Sequence, residues 1–145
     1  MPIYFYSQRM LYGEFSNFAK YGVKMDGEWW PTTEHYFQAQ KFVDPDYRTQ
    51  IRNADTPKRA AELGRSRRVP LRPDWEDVKD DIMYACVLKK FETHPELRER
   101  LLSTGDEEII ENAPGDFYWG CGKDGTGKNM LGKILMDIRT ALRGE

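Results

Sequence analysis

Glu34, Gln38 and Lys41 place an acid, an amide and an amine within the run Trp29 to Phe42, WWPTTEHYFQAQKF. On a helix with about 100° per residue, Gln38 falls roughly 40° to one side of Glu34 and Lys41 roughly 20° to the other. All three then point the same way. Lys41 lies roughly 10 Å along the axis, so acid and amine can reach one small substrate from opposite ends. The plainer alternative is a helix charge pattern, in which a first-turn glutamate offsets unpaired backbone donors by about 0.3–1 kcal/mol. Trp30, Tyr36, Phe37 and Phe42 flank the row and favour one wall of a polar pocket over a solvated face. His35, a lone histidine among aromatics, reads as a hydrogen-bonded structural residue rather than a metal ligand or base.

A second candidate is Asp116 to Asn129, DFYWGCGKDGTGKN, an acid and large aromatics joined to a glycine-rich loop that runs into the last helix. Such a loop can turn backbone N–H groups toward an anion at a helix N-terminus, or it can be a surface turn. Gly122 to Asn129 has the spacing of a P-loop, but asparagine stands where the magnesium-binding Ser or Thr belongs, and FYWGC is not a buried aliphatic strand. A P-loop NTPase is therefore set aside. Trp119 beside glycines suits a stacking platform for a ring or sugar. Arg65, Arg67, Arg68 and Arg72 form a basic run in which one or two guanidiniums suit a phosphate. Asn17, between Phe15-Ser16 and Phe18, either orients a ligand hydroxyl or holds a turn. Trp75 falls on a helical stripe and reads as core.

The elements that must position these groups follow from punctuation and period. Ile3 to Ser7 is a short β-prone run, and Val23 to Met25, Asp26-Gly27 and Glu28 to Trp30 read as a hairpin, which gives a small sheet. Thr32 or Thr33 caps the first helix, Asp46 to Asn53 is a short second, and Thr56-Pro57 opens a third that Gly64 ends. A long helix runs from Pro73 to about Thr93 with Trp75, Val78, Ile82, Ala85, Leu88 or Lys89 and Phe91 inward. Pro95 to Ser103 is a further helix, Glu108 to Asn112 a strand, and Asn129 to Leu142 an amphipathic final helix. The expected fold is α+β, mostly helical with a small sheet, in one domain over residues 1–145.

With 145 residues, 39% of them hydrophobic, the chain is long enough for one real core. A net charge of −2 argues against a membrane-surface binder or a partner for duplex nucleic acid, either of which needs a dominant basic field. Cys86 and Cys121 show no zinc or disulfide spacing, so a reducing cytoplasm and no metal are expected. MPIYFYSQRM carries neither a signal sequence nor an apolar run long enough to span a bilayer.

FSNF at Phe15 to Phe18, WPTTEHYFQAQKF at Trp30 to Phe42, LGR at Leu63 to Arg65, the Trp75 helix, DFYWG at Asp116 to Gly120 and GKNMLG at Gly127 to Gly132 stand in an order that closely resembles the NADAR family. The resemblance covers nearly the whole chain and is strongest to the family's riboflavin-intermediate N-glycosidases. It implies a helical domain with a small sheet and a cleft that acts on N-glycosidic bonds of ribosylamino-pyrimidine phosphates. Other relatives remove ADP-ribose from guanine bases. On these motifs, Glu34, Lys41 and Asp116 are the catalytic set, and Asn17, Trp30, Gln38, Arg65, Trp119, Gly120, Lys128 and Asn129 the substrate-binding set.

The chemistry suits those residue types. Cleaving a sugar C1–N bond needs a proton for the leaving nitrogen, a stabilised cation at C1 and a delivered nucleophile. Glu34 can act as acid and then base, and Lys41 as a Schiff-base nucleophile if burial lowers its pKa. No organic cofactor is called for; the expected partner is a small molecule. The alternatives are hydrolysis of ADP-ribosylated guanine and a non-catalytic nucleotide-binding module, and the intact row of acid, amide and amine speaks against the second.

Overall fold

The computed structural model describes residues 1–7 and 9–144. The chain clusters into two compact units, Lys20–Lys90 and Met1–Ala19 with Phe91–Glu145.

The Lys20–Lys90 unit begins with a hairpin of β2 (Val23–Met25) and β3 (Glu28–Trp30), antiparallel with Val23 opposite Trp30 and Met25 opposite Glu28. Asp26 and Gly27 turn the chain with φ of 55° and 81°, the positive pair that a two-residue hairpin needs to match strand twist. Three helices follow, α1 (Thr33–Ala39), α2 (Pro45–Arg52) and α3 (Pro57–Arg65), each with a side-chain cap at its start. The Thr32 hydroxyl accepts from His35 N–H, Asp44 accepts from Asp46 and Tyr47 N–H, and Thr56 accepts from Arg59 N–H. Pro45 and Pro57 sit at first helical positions, where a missing N–H costs nothing.

Helix α4 (Trp75–Thr93) carries residues 75–90 in this unit. Its inward face differs from the expected one. Met83, Cys86, Val87 and Lys90 are buried, whereas Ala85 and Lys89 are exposed and Ile82 and Leu88 only half-buried. A lysine with an apolar stem occupies the stripe, and reading lysines as solvated rotates the helix by about one residue.

In the other unit β1 (Ile3–Phe5) pairs in parallel with β4 (Ile109–Glu111), Ile3 opposite Ile109 and Phe5 opposite Glu111. The small sheet is thus two separate two-stranded sheets, since β1 pairs with β4 rather than with the hairpin. Phe15 meets Phe5 and Phe91 edge-on at 6.0 and 5.7 Å. Also buried in this unit are Leu97 and Leu101 of α5 (Pro95–Leu102) and Leu131, Leu135 and Ile138 of α6 (Met130–Leu142). At Gly132 a Cβ would meet the Ile109 carbonyl and the Asn129 side chain, so α6 approaches β4 as closely as backbone allows. Among the described residues no helix is long and apolar enough to cross a membrane.

Asn129 joins these parts. It takes φ 54° just ahead of α6, accepts from Glu111 N–H at 2.9 Å and donates to the Ile109 carbonyl at 2.9 Å. Asn129→Ala removes both bonds at a site 8% exposed and keeps the left-handed backbone that alanine disfavours. Urea denaturation should show a loss of about 2–4 kcal/mol, and Asn129→Gly, which relieves only the backbone, a smaller one. Equal stability of all three proteins would show that the amide does not hold β4.

Candidate functional site

Glu34 and Gln38 lie one turn apart on α1 and are 9% and 8% exposed. Gln38 Nε2 donates to Glu34 Oε2 at 2.8 Å, the bond that the four-residue spacing implied. Gln38 Oε1 is buried without a hydrogen-bond partner. The reason is α3: at Gly64 a Cβ would run into the Gln38 amide, so glycine alone leaves room for that side chain. The sequence reading took Gly64 as a helix terminator. Its actual service is steric and non-local, and α3 continues one residue further to Arg65.

Lys41 differs from the helical projection. Helix α1 ends at Ala39, and its backbone tightens as Lys41 N–H reaches the Gln38 carbonyl at 3.2 Å and Phe42 N–H that of Ala39 at 3.2 Å. Lys41 therefore leaves from the turn after the helix. Its ammonium stays within electrostatic range of Glu34, 5.9 Å from the Phe37 ring centroid and 6.0 Å from that of Trp75. Burial pushes its pKa below the usual lysine value, and Arg67, Arg65 and Lys79 push the same way while Glu34 opposes them. Trp75 is buried and tilted against Phe37 at 5.1 Å, as the core reading expected.

The remaining groups of this unit divide between structure and surface. His35 pairs through Nδ1 with the Thr32 hydroxyl at 2.8 Å and through Nε2 with the Ala54 carbonyl at 3.0 Å. A carbonyl only accepts, so Nε2 carries a proton, and burial lowers the ring's pKa against the opposing pull of that Ala54 bond. Trp30 is 2% exposed, packs edge-on against Tyr36 at 5.2 Å and donates its indole N–H to the Met25 carbonyl at 3.2 Å. Arg65 is exposed at the end of α3. Arg67 returns to the Gly64 and Ser66 carbonyls, and Arg72 pairs with Asp74 at 2.6 Å. Cys86 is fully buried and its thiol is pushed up to about 12, which makes it inert.

In the other unit the 116–129 loop is a closed backbone structure. Asp116 Oδ1 accepts from Tyr118 and Trp119 N–H at 3.0 and 2.8 Å. The N–H groups of Lys128, Asn129, Met130 and Leu131 donate to the carbonyls of Phe117, Gly120, Tyr118 and Trp119. The amides at the start of α6 that the sequence offered to an anion are thus used inside the loop. Gly120 is buried against Ala113 and Glu111, and Trp119 is half-buried, edge-on to Tyr118 at 4.8 Å. Lys128 is exposed, its ammonium 5.3 Å from the Tyr118 ring. Asn17 is buried at 8% exposure.

Residues 4–143 match the NADAR domain family. The chain is 51% identical over 140 residues to N-glycosidase YbiA of Escherichia coli (strain K12), covering 97% of this chain and 88% of that protein. It is 40% identical over 157 residues to the chloroplastic riboflavin biosynthesis protein PYRR of Zea mays, covering 98% of this chain and 25% of that one. The NMR structure of the E. coli protein YbiA superposes with a TM-score of 0.90 at 50% identity, covering 97% of this chain and 84% of that chain.

The contact between Gly64 and Gln38 gives a stability cycle. Gly64→Ala should cost about 1–3 kcal/mol by overpacking, against the gain of up to ~1 kcal/mol that alanine brings to a helix. In a Gln38→Ala background the obstacle is gone, and the same change should be neutral or stabilising by urea denaturation. Additive effects would show that the two residues do not compete for this space.

Proposed function

The chain belongs to the NADAR family, and from that membership we propose an N-glycosidase that hydrolyses the C1–N bond of ribosylamino-pyrimidine phosphates to free base and ribose 5-phosphate. The observation that carries this reading is the group formed by α1 and the turn after it, a buried carboxylate held by an amide with a desolvated amine in its field. The names of the relatives in Escherichia coli and Zea mays, N-glycosidase and riboflavin biosynthesis protein, support the reaction and the substrate class. The cytoplasm is the proposed compartment, and two free cysteines suit it.

In the proposed reaction the ribosylamine opens to an imine at C1. The Lys41 amine adds to C1, Glu34 gives its proton to the departing pyrimidine nitrogen, and a C1=N bond to Lys41 replaces the one to the base. Water, deprotonated by the Glu34 carboxylate, then adds to C1, and the lysine leaves with a proton. Lys41 is suited to this because burial disfavours its charged form. Gln38 fixes which carboxylate oxygen is offered. Asp116 is proposed to support the cationic C1 or the ribose, Trp119 to stack on the base, and Arg65 and Lys128 to meet the phosphate. Asn17 is the proposed partner of a sugar hydroxyl. Trp30, Gly120 and Asn129 are proposed to act by shape, since their polar groups or contacts serve the fold.

Glu34→Gln should fold normally and lose turnover of a ribosylamino-pyrimidine phosphate by roughly two to four orders of magnitude, read as release of free base. Turnover near that of the wild type would reduce Glu34 to a helix-terminal charge. Running the same assay on ADP-ribosylated guanine compares the two substrate classes directly.

Borohydride added during turnover should leave a ribose-phosphate adduct on the peptide containing Lys41, and Lys41→Arg should abolish both adduct and activity. The covalent route needs the neutral amine, so wild-type activity should rise with pH through a limb below the usual lysine pKa, in the direction burial moves it. An active Lys41→Arg variant and no trapped adduct would return the reaction to direct attack by water.

A further inference from the structure

Helix α3 delivers its last turn to the acid and amide of α1. Gly64 lies against the Gln38 amide, and Arg65, the next residue, closes the helix. Ser66 then takes an extended backbone, and Arg67 folds back over that turn, its Nη1 donating to the Gly64 and Ser66 carbonyls at 2.8 and 3.1 Å. The far end of the same stretch is fastened as well, since Arg72 N–H donates to the Lys41 carbonyl at 2.8 Å. The segment thus begins beside Gln38 and ends on Lys41, all within the Lys20–Lys90 unit.

Charge sets two arginines of that segment apart. Among the described residues of this unit, Arg52, Arg59, Arg72 and Lys79 each pair with a carboxylate, that of Glu28, Glu62, Asp74 and Glu76 in turn. Arg65 and Arg67 pair with none. Both charges are nevertheless felt at the Lys41 ammonium, where burial is the first influence against the charged form, Arg67, Arg65 and Lys79 act the same way, and Glu34 opposes them. Cations grouped about an amine repel it, and a doubly charged anion among them turns that repulsion into attraction. Guanidinium forks match the oxygens of a phosphate. We propose that Arg65 and Arg67 together seat the phosphate of a sugar phosphate and couple its binding to the charge on Lys41. The proposal rests on the N-glycosidase reading only for the sugar, ribose. Arg67 thereby becomes a specificity residue for phosphorylated substrates, and by reciprocity the anion binds more tightly while Lys41 holds its proton.

Ribitol 5-phosphate tests the seat without turnover, because it carries the phosphate and lacks the carbonyl that an amine would attack. In NMR titrations of the whole chain at about pH 8, where the monoester is a dianion, it should bind at least about tenfold more tightly than ribitol. Arg65→Gln and Arg67→Gln, at exposed positions that leave the fold intact, should each weaken it by at least about threefold, while Arg68→Gln, which removes a neighbouring charge, should change it by less than about twofold. The Lys41 side chain, followed by its Cε shift against pH, should titrate higher with ribitol 5-phosphate bound, and higher in free Arg67→Gln than in the free wild type. Equal binding of ribitol, an Arg68→Gln loss as large as that of Arg67→Gln, or a Lys41 titration that neither the anion nor Arg67→Gln moves upward would overturn the proposal. A chain that binds ribitol 5-phosphate in this way yet releases no base from any ribosylated substrate would keep the seat and lose the N-glycosidase reading. One that cleaves phosphorylated and unphosphorylated substrates equally well would keep the reaction and lose the seat.

Discussion

A carboxylate buried on the inner side of a two-turn helix is the constraint around which the Lys20–Lys90 unit is arranged. Desolvating Glu34 costs several kcal/mol unless donors meet it, and a neutral donor one turn away is the least disruptive answer, since it adds no second charge. Gln38 supplies that donor. Its amide then needs space beside α3, and Gly64 provides it. From one buried carboxyl group the requirement passes to a neighbouring amide and then to the backbone of another helix. The Thr32 cap belongs to the same arrangement, because it fixes where α1 begins and hence which residues face inward.

Much of this was legible locally. The Asp26-Gly27 turn set the register of β2 and β3, because two positive φ values allow one tight hairpin geometry. Thr32, Thr56-Pro57 and Pro95 marked helix starts for similarly short-range reasons. What failed depended on distant partners. The pairing of β1 with β4 joins segments about a hundred residues apart, and no periodicity announces it. The end of α1 at Ala39 carries no glycine or proline, so an unbroken pattern projected Lys41 along a helix that had already turned. The α4 face was misread because Lys90 lies inside.

The glycine-rich loop shows the same limit from another side. Composition made it resemble an anion cradle, since glycines and a following helix offer amide groups. Tertiary closure decided otherwise. Asp116 turns the DFYWG segment so that its carbonyls face the start of α6, and the amides of Lys128 to Leu131 are satisfied there. The groups proposed to meet phosphate are exposed side chains such as Arg65 and Lys128, cations rather than a nest of N–H groups.

Stability and the proposed chemistry pull in different directions along α1. Gln38 Oε1 is buried without a partner, a defect of about 1–3 kcal/mol that an apolar side chain at this position would avoid. The same amide meets the buried Glu34 carboxyl group through Nε2. In the proposed chemistry that contact also orients the carboxyl group for proton transfer. At Lys41 the two demands coincide. Phe37 and Trp75 are core residues beside the ammonium, and its burial lowers its pKa. Trimming either ring would therefore loosen the core and admit water to the lysine together, so the burial that lowers the Lys41 pKa is tied to the packing beneath it.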